Sequence, residues 1–253
     1  MALTDRVYII TGGSKGFGFA IAKCLVAQGA KVGLIGRNQP ALNQAIAEVG
    51  ADNAFAIAAD VTDQAGLAVS FQIIKNHFGR LDGLVNNAGM ARPNKVENLV
   101  QEEVLMQVNT NYLGTVFAGQ AAIPLLKGGD NPRIINLSSA SAFHLDEMSH
   151  LSIYASVKAA VERFTRDLAH ELQADKIGVS CIRPGAASTH FAEDWDEKAF
   201  TAALQAWCDE GAYMSIGMEA EQVGASVAFA LAQPPGVAID LLEVRPNQRM
   251  KKF

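Results

Sequence analysis

Short apolar runs recur along the whole chain, and each is separated from the next by a longer stretch of helical spacing. "RVYIITGG", "KVGLIGR", "AFAIAADVT", "LDGLVNNAG", "RIINLSS", "IGVSCIRPG" and a short "IDLLEV" read as strands. The stretches between them, such as "FAIAKCLVAQGA" and "PALNQAIAEVG", repeat apolar residues three and four apart, with Pro40 opening the second helix and Gly29 and Gly50 closing the first two. Strands that are apolar at nearly every position must be covered on both faces, which is the signature of a parallel sheet between two helix layers. The pattern predicts one α/β domain over residues 1–253: a doubly wound, Rossmann-type sheet of about seven strands. No internal repeat, low-complexity tract or Pro/Ser-rich linker divides it.

Composition removes several function classes. The net charge is −5 with scattered basic residues, so no nucleic-acid footprint is expected. No apolar run nears the roughly 20 residues of a membrane span, and "MALTDRVYII" lacks the small-residue cleavage site of a secretory signal. Cys24, Cys181 and Cys208 are odd in number and widely spaced, which suits neither a disulfide framework nor a metal site. A soluble protein of a reducing, cytoplasmic compartment is the expectation, without metal, membrane or nucleic-acid partners.

Two local motifs carry chemistry. "TGGSKGFG" at 11–18 joins the first strand to the first helix, with Gly12, Gly16 and Gly18 around Ser14, Lys15 and Phe17. Glycines at such a turn let a pyrophosphate approach the backbone, where the helix N-terminus supplies donors and positive dipole. The spacing departs from the common Gly-x-Gly-x-x-Gly fingerprint. In "SIYASVKAAVERF", Tyr154 and Lys158 stand four residues apart, about one helical turn, and so share a face. A free phenol titrates near 10, too high for a base at neutral pH, and a neighbouring cation is expected to lower it.

The glycine loop, "NNAG" at 86–89, the Tyr154–Lys158 pair and "RPG" at 183–185 occur in the order found in short-chain dehydrogenases/reductases. The chain resembles the compact, single-domain branch of that family over essentially its whole length. The resemblance implies hydride transfer between a nicotinamide cofactor and an alcohol or ketone, with Tyr154 exchanging the proton and Lys158 supporting it. It implies that Asp60 contacts the adenine with Val61 beside it, that Asn87, Ala88 and Gly89 line the ribose, and that Pro184, Gly185 and Thr189 form the nicotinamide-side loop. Asn111 matches the family's helix asparagine, whose backbone helps to hold a water. Asn109 competes for that role, and the spacing to Gly114 favours Asn111. The orienting serine is either Ser139, which ends the fifth strand, or Ser141, which has the family's usual separation from the tyrosine. Ser139 is preferred because strand position fixes geometry. Ser138 and Ser141 are then turn residues.

After the second strand the chain reads "LIGRN", with Gly36 and Arg37 where NAD-binding folds carry an acid. A guanidinium at Arg37, with Lys15 as a second cation, suits a 2′-phosphate, so NADP(H) is expected over NAD(H). Substrate choice is expected in a segment at 190–217 holding Phe191, Trp195, Phe200, Trp207, Tyr213 and Met214, read either as a lid over an apolar pocket or as core helices. Ser139, Ser141 and Phe143, with Met90 and Leu145, complete that pocket. The expected substrate is a largely apolar small-molecule alcohol or ketone, and the resemblance further implies a homodimer or homotetramer. A sensor that binds NADP(H) without turnover is the alternative; epimerases and dehydratases on this scaffold tend to be longer.

Overall fold

A computed structural model describes residues 3–144, 149–187, 189–210 and 218–247. Seven strands form one parallel sheet: β1 (Val7–Thr11), β2 (Lys31–Gly36), β3 (Ala54–Ala58), β4 (Gly83–Asn86), β5 (Arg133–Leu137), β6 (Gly178–Pro184) and β7 (Leu241–Val244). Their spatial order is β3-β2-β1-β4-β5-β6-β7. The winding therefore reverses between β1 and β4, and the crevice above that switch point, at the carboxyl ends of the strands, is where such sheets bind ligands.

Side chains alternate along each strand, so one sheet serves two cores. Tyr8 and Ile10 face a layer made by α1 (Gly16–Ala27), α2 (Gln39–Val49) and α8 (Ala220–Leu231). Val7 and Ile9 face the opposite layer, where α3 (Gln64–Phe78), α5 (Gly114–Leu126) and α6 (Ser152–Glu171) contribute Phe71, Ala118 and Leu168. A third cluster, in which Ala91 and Leu151 meet Ala203 and Trp207 of α7 (Glu197–Glu210), roofs the crevice.

The long helical stretch before β5 is not continuous. It runs as α4 (Gln101–Val108) and α5 with a wide π turn, Asn109–Leu113, between them, where the Gly114 N–H reaches back five residues to the Asn109 carbonyl. Two side chains explain the widening. Asn111 Nδ2 donates to the Gln107 carbonyl at 2.7 Å, and Thr115 Oγ1 donates to the Asn111 carbonyl at 2.8 Å. Each takes a carbonyl four residues back that the helical ladder would otherwise use.

Among the described residues no helix is long and apolar enough to cross a membrane, and no group of His, Cys, Asp and Glu could hold a metal ion. The three cysteines are unpaired thiols.

Candidate active site

One cavity of about 1220 Å³ opens at the switch point. Its floor comes from the loop after β1, where Gly12 adopts φ +66°, in the left-handed region that favours glycine. Gly18, one turn into α1, packs so tightly that a Cβ there would lie 2.1 Å from the Gly12 carbonyl oxygen. The loop is braced from β4: the Asn87 carboxamide donates to the Thr11 and Gly12 carbonyls at 2.9 and 3.1 Å, and the Thr11 hydroxyl accepts from the Asn87 and Ala88 amides. Thr11 is the part of this brace that spacing alone did not single out. Gly12, Ser14, Lys15, Gly16 and Phe17 line the cavity together with Arg37, Asp60, Val61, Asn87, Ala88 and Gly89. Gly18 lies beneath that lining.

At the end of β2 there is no carboxylate. Gly36 and Arg37 line the cavity, and Asn38 Oδ1 is occupied in capping α2 through the Ala41 amide at 3.0 Å. Arg37 is exposed. Lys15 crosses the cavity mouth to Glu193 at 3.0 Å, a surface pair of little energetic weight.

On the other side of the switch point α6 delivers Tyr154 and Lys158 as one unit. Lys158 is buried, and its ammonium donates to the Leu137 carbonyl at 2.9 Å and stands 5.8 Å from the centre of the Tyr154 ring. Burial pulls the ammonium down to about 8. Tyr154 keeps part of its surface open to the cleft, yet the surrounding protein strips enough water from it to push the phenol up to about 12, against the influence of the Ser139 hydroxyl, which favours ionisation. In the protein's own surroundings the phenol is raised rather than lowered, because burial outweighs the other contributions.

The two candidate serines are bonded to each other. Ser139 Oγ accepts from the Ser141 hydroxyl at 3.0 Å and from the Ser141 amide at 3.3 Å, and Ser139 is the one close enough to influence the Tyr154 phenol. Both line the cavity. Asn111 does not. It is fully buried below, where its carboxamide donates to the Met90 carbonyl at 2.8 Å and accepts from the Met90 amide at 3.0 Å, so that it holds the loop that follows Gly89.

The wall beyond Tyr154 is aromatic. Phe191 lies 5.6 Å from the Tyr154 ring, Trp195 5.8 Å from Phe191, and Phe200 and Trp207 pack on Trp195 at 5.4 and 6.4 Å. All four line the cavity, and Trp207 is also buried in the roof cluster. The two readings of this segment therefore meet in one helix, α7, which is core on one side and cavity wall on the other. Pro184, Gly185 and Thr189 complete the rim. Leu145, Tyr213 and Met214 lie outside the described residues.

Phe143 is not a pocket residue. Its ring sits over the Arg183 guanidinium at 4.7 Å and stays exposed. Arg183 draws it there as the centre of a charge network: two short bonds to Glu162, at 2.7 and 2.6 Å, and one to Glu243 at 2.8 Å. His144 Nε2 and Arg245 Nε reach the other Glu243 oxygen. Ser138, expected as a turn residue, instead donates to Glu162 at 2.7 Å and so ties the end of β5 to α6. Because Arg183 is almost enclosed, Glu162→Ala should cost about 3 kcal/mol of folding stability by removing two of the bonds that hold that cation and leaving it to Glu243 alone. Denaturant unfolding would measure it, and a loss near zero would show the network to be passive.

Comparison with known proteins agrees with this architecture. The model of the short chain dehydrogenase family matches residues 6–199. An uncharacterized oxidoreductase of Staphylococcus aureus (strain USA300) is 32% identical over 244 residues, covering 96% of this chain and 98% of that one. Another, from Staphylococcus epidermidis (strain ATCC 12228 / FDA PCI 1200), is also 32% identical, with 96% and 97% covered. Among solved structures, a 3-ketoacyl-(acyl-carrier-protein) reductase from Brucella melitensis complexed with NADH superposes with TM-score 0.84 at 28% identity, over 96% of this chain and 98% of that one. The closed form of a serine dehydrogenase complexed with NADP+ gives 0.82 at 26%, with 94% of each chain covered, and a levodione reductase 0.81 at 29%, with 95% and 96% covered. The loop that reverses at Gly12, the Tyr154–Lys158 turn and the seven-stranded sheet belong to an oxidoreductase, and the chain is a member of the short-chain dehydrogenase family.

Proposed function

We propose that the protein is an NADP(H)-dependent oxidoreductase that interconverts a ketone and a secondary alcohol, with Tyr154 as the acid/base. The observation that carries this reading is the convergence on one cavity of the glycine loop, Tyr154 with Ser139, and the Lys158 ammonium. The residues present fit a dinucleotide. The backbone from Gly12 to Phe17 offers a pyrophosphate cradle at the start of α1, and Asp60, Val61 and Asn87 to Gly89 flank the space between the two halves of the sheet. A bound nicotinamide supplies or accepts the hydride.

The chain's own residues manage the proton. A phenol held near 12 is protonated at neutral pH and so has its proton ready for a carbonyl oxygen that gains charge. Ser141 donates twice to Ser139 Oγ, which uses that oxygen's acceptor sites and leaves the Ser139 proton, directed at Tyr154 before substrate arrives, to be passed to the substrate oxygen once it is bound. Ser139 is thereby the polarising serine and Ser141 its positioning partner. Asn111 acts at one remove, by fixing the backbone after Gly89 beside Lys158. The exposed Val100, Leu105 and Met106 of the α4 region support the further proposal of a homo-oligomer, and the thiols support a reducing, cytoplasmic setting.

The choice of NADP(H) over NAD(H) rests on Arg37 and Lys15 and on the missing carboxylate. Gly36→Asp tests it with little steric cost, since a Cβ there would stand 3.5 Å from Leu42 and 3.7 Å from Ser14 Oγ. The new carboxylate should weaken NADPH roughly 10- to 100-fold while leaving NADH equal or tighter. Fluorescence titration with both cofactors reads this directly, and parallel losses for the two would refute the assignment.

A further inference from the structure

Four side-chain polar atoms are enclosed without a hydrogen-bond partner among the described residues: Asn86 Oδ1, Arg133 Nε, Ser180 Oγ and Trp195 Nε1. The first three belong to strands of the sheet. Only Trp195 lines the cavity. An indole N–H shut away from water with nothing to accept its bond is costly, and in cores such groups usually find a partner. Its neighbour shows the usual solution: Trp207 Nε1 donates to the Ser149 carbonyl at 2.7 Å.

The position of the orphaned donor is informative. Trp195 lies two ring contacts from Tyr154, through Phe191. It follows the short turn His190–Ala192 and precedes α7, and its N–H edge is enclosed while the residue lines the cavity, so reaching a ligand there requires the indole to rotate. The surroundings of this wall are apolar, with Phe191, Phe200 and Trp207 and Leu151 beside them, and the neighbouring Asp194, which also lines the cavity, disfavours an anionic substrate. The cations nearest the reacting end are committed, Lys158 to the Leu137 carbonyl and Arg245 to Glu243.

We infer that Trp195 is a specificity residue whose indole N–H hydrogen-bonds a second acceptor on the substrate, so that the preferred substrate is a flat, uncharged ketone carrying a carbonyl, ether or ring-nitrogen acceptor at the end remote from the reacting carbonyl. This rests on the ketone-reductase reading of the same cavity. An aromatic wall selects the flat body, Tyr154 and Ser139 hold the reacting oxygen, and Trp195 reads the far end. A site that hydrogen-bonds a substrate group rejects analogues lacking it, because the site's own donor is then left unpaired.

The test compares acetophenone with 4-acetylpyridine, which match in shape and differ by one remote acceptor, using wild type and Trp195→Phe. The intrinsic reactivities of the two ketones cancel when the ratio of their kcat/KM values is compared between enzymes. That ratio should fall roughly tenfold in the variant, mainly through KM. The thermal midpoint of the ligand-free variant should equal or exceed that of wild type, since an unsatisfied buried donor has been removed; this also checks that the variant folds. An unchanged ratio with both ketones reduced overturns the role of Trp195 and leaves the reductase standing. Failure of wild type to reduce either ketone in the presence of bound NADPH overturns the substrate class, and a parallel failure across aliphatic ketones overturns the reductase reading itself.

Discussion

Replacing Tyr154 by phenylalanine is expected to lower turnover roughly 10³-fold or more while leaving NADPH affinity within about twofold. The substitution removes one oxygen and keeps the ring. The contacts of that ring with Phe191 at 5.6 Å and with the Lys158 ammonium at 5.8 Å survive, so the wall and the α6 turn keep their shape. What disappears is the phenol whose proton is held to about pH 12 beside Ser139. Ser139 cannot replace it, since its orientation depends on Ser141 and a serine hydroxyl is a far weaker acid. Steady-state rates beside a cofactor titration separate the two effects. Near-wild-type turnover would show that another group moves the proton.

The second large effect concerns Lys158, where catalysis and stability should move in opposite directions. Burial lowers its ammonium from the ordinary lysine range to about 8, which means the folded protein holds that charge at a cost. A shift of this size corresponds to about 3 kcal/mol. The sign follows from proton counting. Between about pH 8 and 10.5 the unfolded chain binds the proton that the folded chain has released, so stability from this group rises with pH through that window and the full penalty remains below it. Lys158→Met should therefore lose activity by roughly 10²-fold or more yet unfold at higher denaturant concentration than wild type at pH 7, with the gap closing as the pH approaches 10. Some of the gain is offset by loss of the bond to the Leu137 carbonyl, at about 1 kcal/mol. A variant less stable than wild type at neutral pH would mean that Lys158 is a structural cation. A variant that keeps its activity would remove it from the mechanism.

Some of the site was legible in the sequence because it is local. The glycines and Lys15 lie within eight residues, and Tyr154 and Lys158 within one helical turn, so period and spacing place them without knowledge of the fold. The seven strands were legible because each is nearly all apolar. Other features depend on chain segments that only the topology brings together. Arg183 meets Glu162 across 21 positions and Glu243 across 60, and nothing in "IRPG" announces that its arginine is held by two carboxylates. Phe143 looked like a pocket residue because it follows Ser139 and Ser141, but that count does not reveal the guanidinium that captures its ring. The π turn was hidden because Asn111 reads as one more polar helix position until its amide is seen to take the Gln107 carbonyl. The phenol of Tyr154 is raised by burial, a quantity that depends on residues distant in sequence and is not read from the spacing to Lys158.

The central claim is that this cavity binds NADPH and passes its hydride to a ketone whose proton comes from Tyr154. The most direct measurement follows the near-ultraviolet absorbance of NADPH in a single-turnover mixture with excess wild-type protein and an aryl ketone, alongside Tyr154→Phe. The wild type is expected to consume the NADPH, with one alcohol formed per cofactor oxidised, and the variant to bind NADPH but leave its absorbance almost unchanged on the same timescale. Cofactor bound tightly by both proteins and oxidised by neither, across a broad set of ketones, would contradict it and mark the protein as one that senses NADP(H) without turning it over.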